Sequence, residues 1–124
     1  MNKVILIGRL CADPERKDFD SGAVKAGFTL AVDRPRKDQN GEKVTDFINC
    51  AAWQHNANFL LNYAHKGDKI AVSGELQTRK YTDKDGNNRV ICEIMVERAE
   101  IAQSKRGDFT EVNDADNPFT DGLA

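Results

Sequence analysis

Long apolar runs are missing from this chain. The one at its N-terminus, Val4 to Ile7, has four residues, too few for the hydrophobic part of a secretion signal or for a membrane span. That leaves a cytoplasmic protein with no membrane partner as the expectation. Histidine is scarce, with only His55 and His65, both in or beside one helix-like segment and without a glutamate at metalloprotease spacing. No G-x-S-x-G turn and no phosphate-cradling glycine loop occurs. Asp83 and Asp85 form an acidic pair, but they sit in a turn, where aspartate serves the backbone. The chain therefore offers no catalytic group, metal site or cofactor motif, and an enzyme is not expected. A two-metal nuclease finds no further support.

Cysteine is also sparse. Cys11, Cys50 and Cys92 make an odd count with no zinc-knuckle spacing, and Cys50 and Cys92 fall on apolar strand faces. Buried, reduced thiols in a reducing compartment are expected. Basic residues are absent beyond Arg106. Up to that point 18 Lys and Arg face 15 Asp and Glu, a balance of +3, whereas residues 107–124 hold five acids and no base, a balance of −5. With one sign of charge and few large apolar side chains, that end reads as a disordered tail. The remaining residues 1–106 are enough for one domain with its own core.

Within that domain the periodicity is mostly that of strands. "VILIGRL" is an apolar run interrupted by Gly8, and "ADPE" breaks it. From Val24 the apolar side chains alternate, with Val24, Ala26, Phe28, Leu30 and Val32 on one face. A polar loop with a turn at Asn40-Gly41 leads into "DFINCAAW". "HNANFLLNYAHKGD" then changes to helical spacing, with Phe59, Leu60 and Tyr63 in step and Gly67 as the stop. Two strands follow around a turn at Asp85-Gly86; the first places Ile70, Val72 and Leu76 on one face, and the second turns Val90, Cys92, Ile94 and Val96 inward. Three strands, one short helix and two strands, with Gly8 and Gly74 to bend long strands, predict an all-β five-stranded Greek-key barrel of the OB type. A ferredoxin-like sandwich would need a second helix.

In "DFINCAAW" alternation puts Ile48, Cys50 and Ala52 on one side and Phe47, Asn49, Ala51 and Trp53 on the other. The first set suits a core, so the two large rings are left on the polar side. Tyr81 likewise shares a face with Arg79 and Gln77 and follows Lys80, while Arg34, Arg36 and Lys37 crowd the loop. Taken singly, a Phe or Trp is more often a core residue, and Trp53 has room to tuck under the helix. Three rings on polar faces beside cations suit a different task. Bases stack on rings whatever their identity, and Lys and Arg neutralise phosphates.

"NKVILIGRL", "DPE", "FTLAVDRP", "DFINCAAW" and "KGDKIAVSGELQTRKYTDKDG" together resemble the bacterial single-stranded DNA-binding protein family, over residues 1 to about 103. The resemblance implies an OB domain that binds single-stranded DNA without sequence preference, assembles as a homotetramer, and acts near the nucleoid in replication, recombination and repair. It implies stacking by Phe47, Trp53 and Tyr81, and phosphate contacts by Lys3, Arg9, Arg34, Arg79, Lys80 and Arg89. Many members carry an aromatic where this chain has Arg36, whose guanidinium also stacks on a base. The family's acidic tip recruits replication and repair proteins and typically ends in Pro-Phe. Here Asp114, Asp116, Pro118 and Phe119 would form it, but "TDGLA" follows, as in a phage or plasmid member or a paralogue. The alternative from another class is an OB module serving as a protein-interaction or primosome scaffold.

Overall fold

The computed structural model describes residues 1–104. Its elements are β1 (Val4–Leu10), β2 (Glu15–Asp18), β3 (Val24–Asp33), β4 (Thr45–Trp53), α1 (Gln54–Tyr63), β5 (Lys69–Thr82) and β6 (Asn88–Gln103). Neighbours run in the order β1-β5-β6-β4-β3, and pairing of β1 with β3 closes the ring. All of these contacts are antiparallel except the short parallel junction of β4 with β6. This is the expected five-stranded barrel with one helix. Sequence reading overlooked β2, which has no apolar residue to announce it and pairs with β3 outside the ring.

The alternating side chains of β3 make the centre of the core: Ala26, Phe28 and Leu30 are buried. Leu10, Cys50, Ala52, Ile70, Val72, Ile94 and Val96 meet them, and α1 adds Ala57 and Leu60, with Ala64 just beyond its end. Fully burying a side chain such as Leu60 contributes about 1.5–3 kcal/mol. The helix starts directly from β4, because Gln54 takes a left-handed φ of 54° and turns the chain in one step. Its Oε1 accepts the Val24 N–H at 3.1 Å, which ties that corner to β3. Tyr63 faces outward rather than joining the buried stripe, and the helix ends before Gly67. Gly67 instead makes a left-handed turn whose N–H donates to the Leu10 carbonyl at 2.9 Å.

Both predicted corner glycines are required by close approach. A Cβ on Gly8 would lie 2.6 Å from the Ala31 carbonyl oxygen, and one on Gly74 would lie 2.0 Å from that of Met95. The β5–β6 ladder also slips register at Ser73/Gly74, the irregularity that bends the pair around the barrel. Beyond that bend the two strands outrun the ring and continue as a two-stranded arm. Three expectations fail there for one reason. Alternation places Leu76, Val90 and Cys92 inward, yet all are exposed, because no second layer among the described residues covers the arm. Cys50 is buried as expected, and burial, aided by the nearby Glu93 carboxylate, pushes its thiol up to about 12. It is an inert core group.

Candidate nucleic-acid interface

Cross-strand register assembles one continuous outer face. Phe47, Asn49, Ala51 and Trp53 of β4 stand opposite Ala31, Thr29, Gly27 and Lys25 of β3. On the other side Ala51 aligns with Met95, so Glu93, Ile91 and Arg89 of β6 point the same way, and with them Gln77, Arg79 and Tyr81 of β5. The three rings singled out in the sequence thus lie on one face. Phe47 is 69% exposed and Tyr81 45%. Trp53 is half-buried, and its ring packs against Phe19 at 5.2 Å, just past the end of β2. Ala51, grouped with the exposed set by alternation, is fully covered, since a methyl between β3 and β6 is shorter than its neighbours.

The middle of this face is small and polar. A cleft of about 380 Å³ runs over Gly27, Thr29 and Asn49, walled by Ala12 and Asp13 on one side and by Ile91 and Glu93 on the other. Thr29 Oγ1 donates to Asn49 Oδ1 at 3.2 Å. A second cavity of about 450 Å³ opens the barrel end between Val4, Leu6, Ile48, Leu76 and Ile94 and is largely apolar.

The predicted cations arrive with partners. Arg34 is clamped to Asp46 by two bonds of 2.9 and 3.0 Å. The pair holds Asp46 below the usual carboxylate range and raises Arg34 further. Arg89 donates to Asp83 at 2.9 Å, and Asp83, which also accepts the Asn87 and Asp85 N–H groups of the arm-tip turn, is likewise lowered. Arg79 lies 3.5 Å from Glu93, whose side chain is only 13% exposed, and Lys3 pairs with Glu97. Arg9 shares a row with Ala31 and Phe47 and donates to neutral groups, the Gly67 carbonyl at 2.9 Å and Gln103 Oε1 at 3.3 Å. Arg36 and Lys80 form no ion pair among the described residues. Alternation places Lys80 on the arm face opposite Tyr81.

Sequence reasoning missed Phe19, Lys17 and Lys25. Lys17 and Phe19 are spaced i, i+2, a strand signal, but they fall between a breaker and a turn. The tail residues Asp114, Asp116, Pro118 and Phe119 lie outside the described residues. Among those that are described, no group of three His, Cys, Asp or Glu is placed to hold a metal, and no helix is long and apolar enough to cross a membrane.

A model of the single-strand binding protein family matches residues 1–102. The "Single-stranded DNA-binding protein" of Halalkalibacterium halodurans is 38% identical over 117 residues, 94% of this chain and 70% of the relative. "Single-stranded DNA-binding protein 3" of Listeria innocua is 42% identical over 106 residues, 86% of this chain and 66% of the relative. "Single-stranded DNA-binding protein A" of Bacillus subtilis is 40% identical over 107 residues, 86% of this chain and 62% of the relative.

Proposed function

Because this chain belongs to the single-strand binding protein family, we propose that it binds single-stranded DNA without sequence preference and shields it during replication, recombination and repair. It is a binding protein and not an enzyme. The observation that carries the reading is the register that sets Phe47, Trp53 and Tyr81 on a single face with open rings at both ends. Bases stack on these rings, phosphates on that face meet Arg9, Arg36 and those arginines that exchange a carboxylate for a phosphate oxygen, and Lys80 meets a strand that passes round to the other side of the arm. The working unit of this reading is residues 1–106, with residues 107–124 as an acidic extension. Asp114, Asp116, Pro118 and Phe119 of that extension recruit replication and repair proteins, the ring entering an apolar pocket and the aspartates meeting its basic rim.

Assembly belongs to the same proposal. From Val4 to Gly8, β1 pairs among the described residues only with β5, which leaves its other edge open there, and Ile5 and Ile7 are exposed beside it. An open edge with apolar side chains favours pairing with another copy, and a homotetramer supplies the long surface that one small barrel lacks. The setting is the cytoplasm, at the nucleoid.

The test is titration of the Trp53 fluorescence with poly-dT at several salt concentrations. Saturable quenching that weakens as salt rises is the expected result. No binding at low salt overturns the proposal, and partner capture without DNA binding would favour the scaffold alternative.

A further inference from the structure

Strand β2 contributes nothing to the core. All four of its residues are exposed, and among the described residues it pairs with β3 alone. Its register is nevertheless specific. Lys17 aligns with Lys25, and Lys25 aligns with Trp53, so that two lysines and the indole form one row across three strands. Like charges directly opposite one another on neighbouring strands destabilise the pair. No carboxylate pairs directly with either lysine among the described residues, although Lys25 shares its cleft with Asp13, Glu15 and Glu93, and Arg16 on the other side of β2 pairs with Asp18 at 3.1 Å. Glu15, the nearest acid on that face of β2, stands one row away against Gly27. Each ammonium lies over a ring instead. Lys17 Nζ is 5.0 Å from the Phe19 centroid and Lys25 Nζ is 5.8 Å from the Trp53 centroid. The two rings are 5.2 Å apart and tilted by 33°, so they form a step and not a sealed stack.

A strand that buries no apolar area, holds two cations together and sets a second ring beside Trp53 is arranged for an outside ligand. That ligand must carry closely spaced negative charges and flat apolar faces at once. We infer that the Lys17–Lys25–Trp53 row, closed by Phe19, is an additional single-stranded nucleic-acid subsite in which a base lies on the Phe19–Trp53 step and the flanking phosphates meet Lys17 and Lys25. The inference rests on the single-strand reading above and carries the strand past Trp53 to the edge of the sheet. It also separates two kinds of cation. Arg34, Arg79 and Arg89 must release a carboxylate before they meet a phosphate, whereas Lys17 and Lys25 exchange only a ring contact and water.

The experiment measures oligo-dT affinity against salt for the full chain, for the Lys17→Ala/Lys25→Ala double variant, for Phe19→Ala, and for Tyr81→Ala as the reference. Losing two phosphate contacts on a single strand should flatten the slope of log affinity against log salt by about 1.4. Melting temperature should hold or rise, because the like-charge pair is gone. Phe19→Ala should weaken binding about tenfold, the ordinary loss of one stacked base. If Tyr81→Ala weakens binding while the double-lysine variant keeps the wild-type affinity and slope, the subsite is overturned and the wider reading stands. If the wild-type chain does not bind oligo-dT, both fall.

Discussion

Strands β5 and β6 run through two environments, separated by the register slip at Ser73/Gly74. Between Lys69 and Gly74, β5 buries Ile70, Val72 and Gly74, and its partner buries Val96, with Ile94 just beyond. Past the bend at Gly74 the same two strands expose both faces as an arm, with Leu76, Lys80, Tyr81 and Val90 open to solvent. The two strands stay paired in both halves, on either side of the register slip at Ser73/Gly74. Packing distinguishes them: among the described residues the barrel half has a second layer and the arm has none, so one half carries stability and the other is free to carry contacts.

Glycine replacement breaks the comparison most sharply. Gly74→Val puts a Cβ within 2.0 Å of the Met95 carbonyl oxygen, backbone that has nowhere to move, and should abolish cooperative thermal unfolding. Gly86→Ala at the arm tip meets open space and only the strain of a φ of 83°, a loss of about 1–2 kcal/mol by urea unfolding. Next come truncations of apolar side chains on the same strand. Ile94→Ala should cost about 2–5 kcal/mol of stability, whereas Val90→Ala should stay within about 0.5 kcal/mol. Equal costs in urea would mean that the arm is packed after all.

Affinity should show the reverse pattern. Tyr81→Ala should leave the urea midpoint in place and cost about 1–3 kcal/mol in oligo-dT binding, as should Phe47→Ala at the barrel end of the face. A smaller effect of opposite sign is expected of Asp46→Asn, which releases Arg34 from its clamp. Affinity should rise a few-fold at low salt and the gain should vanish at high salt, where exposed charges are screened. The smallest effect is in pH. Asp83 has a folded pKa below its unfolded value, so the stabilisation it lends the arm-tip turn is complete above the ordinary carboxylate pKa. It fades as pH falls through the lower folded value. Amide exchange at Asp85 and Asn87 should therefore stay protected, relative to the intrinsic rate at each pH, to below the ordinary carboxylate range before the turn loosens, with the barrel amides unchanged.

Most of the barrel was legible because its strands alternate against a real core: Ala26, Phe28 and Leu30 are buried in the order their spacing predicts. The placement of Phe47 and Tyr81 was legible for the complementary reason, since each shares its strand face with polar residues. Cys92 and Leu76 were misread because alternation names the two faces of a strand but not whether anything covers either one. Phe19, Lys17 and Lys25 were missed because their signal is the register of three strands, which no local window contains.

By itself the sequence determined the order of the five barrel strands and the helix, the corner glycines, the inward set of the barrel and the separation of a basic body from an acidic end. These follow from local sterics, period and charge, properties that each segment carries wherever it goes. Only the tertiary structure decided that β5 and β6 outrun the barrel, that Arg34, Arg79 and Arg89 meet carboxylates before any phosphate, and that Trp53 rests against Phe19. Each of these depends on which segments, distant in sequence, come within a few ångströms of one another, and that is set by closure of the ring.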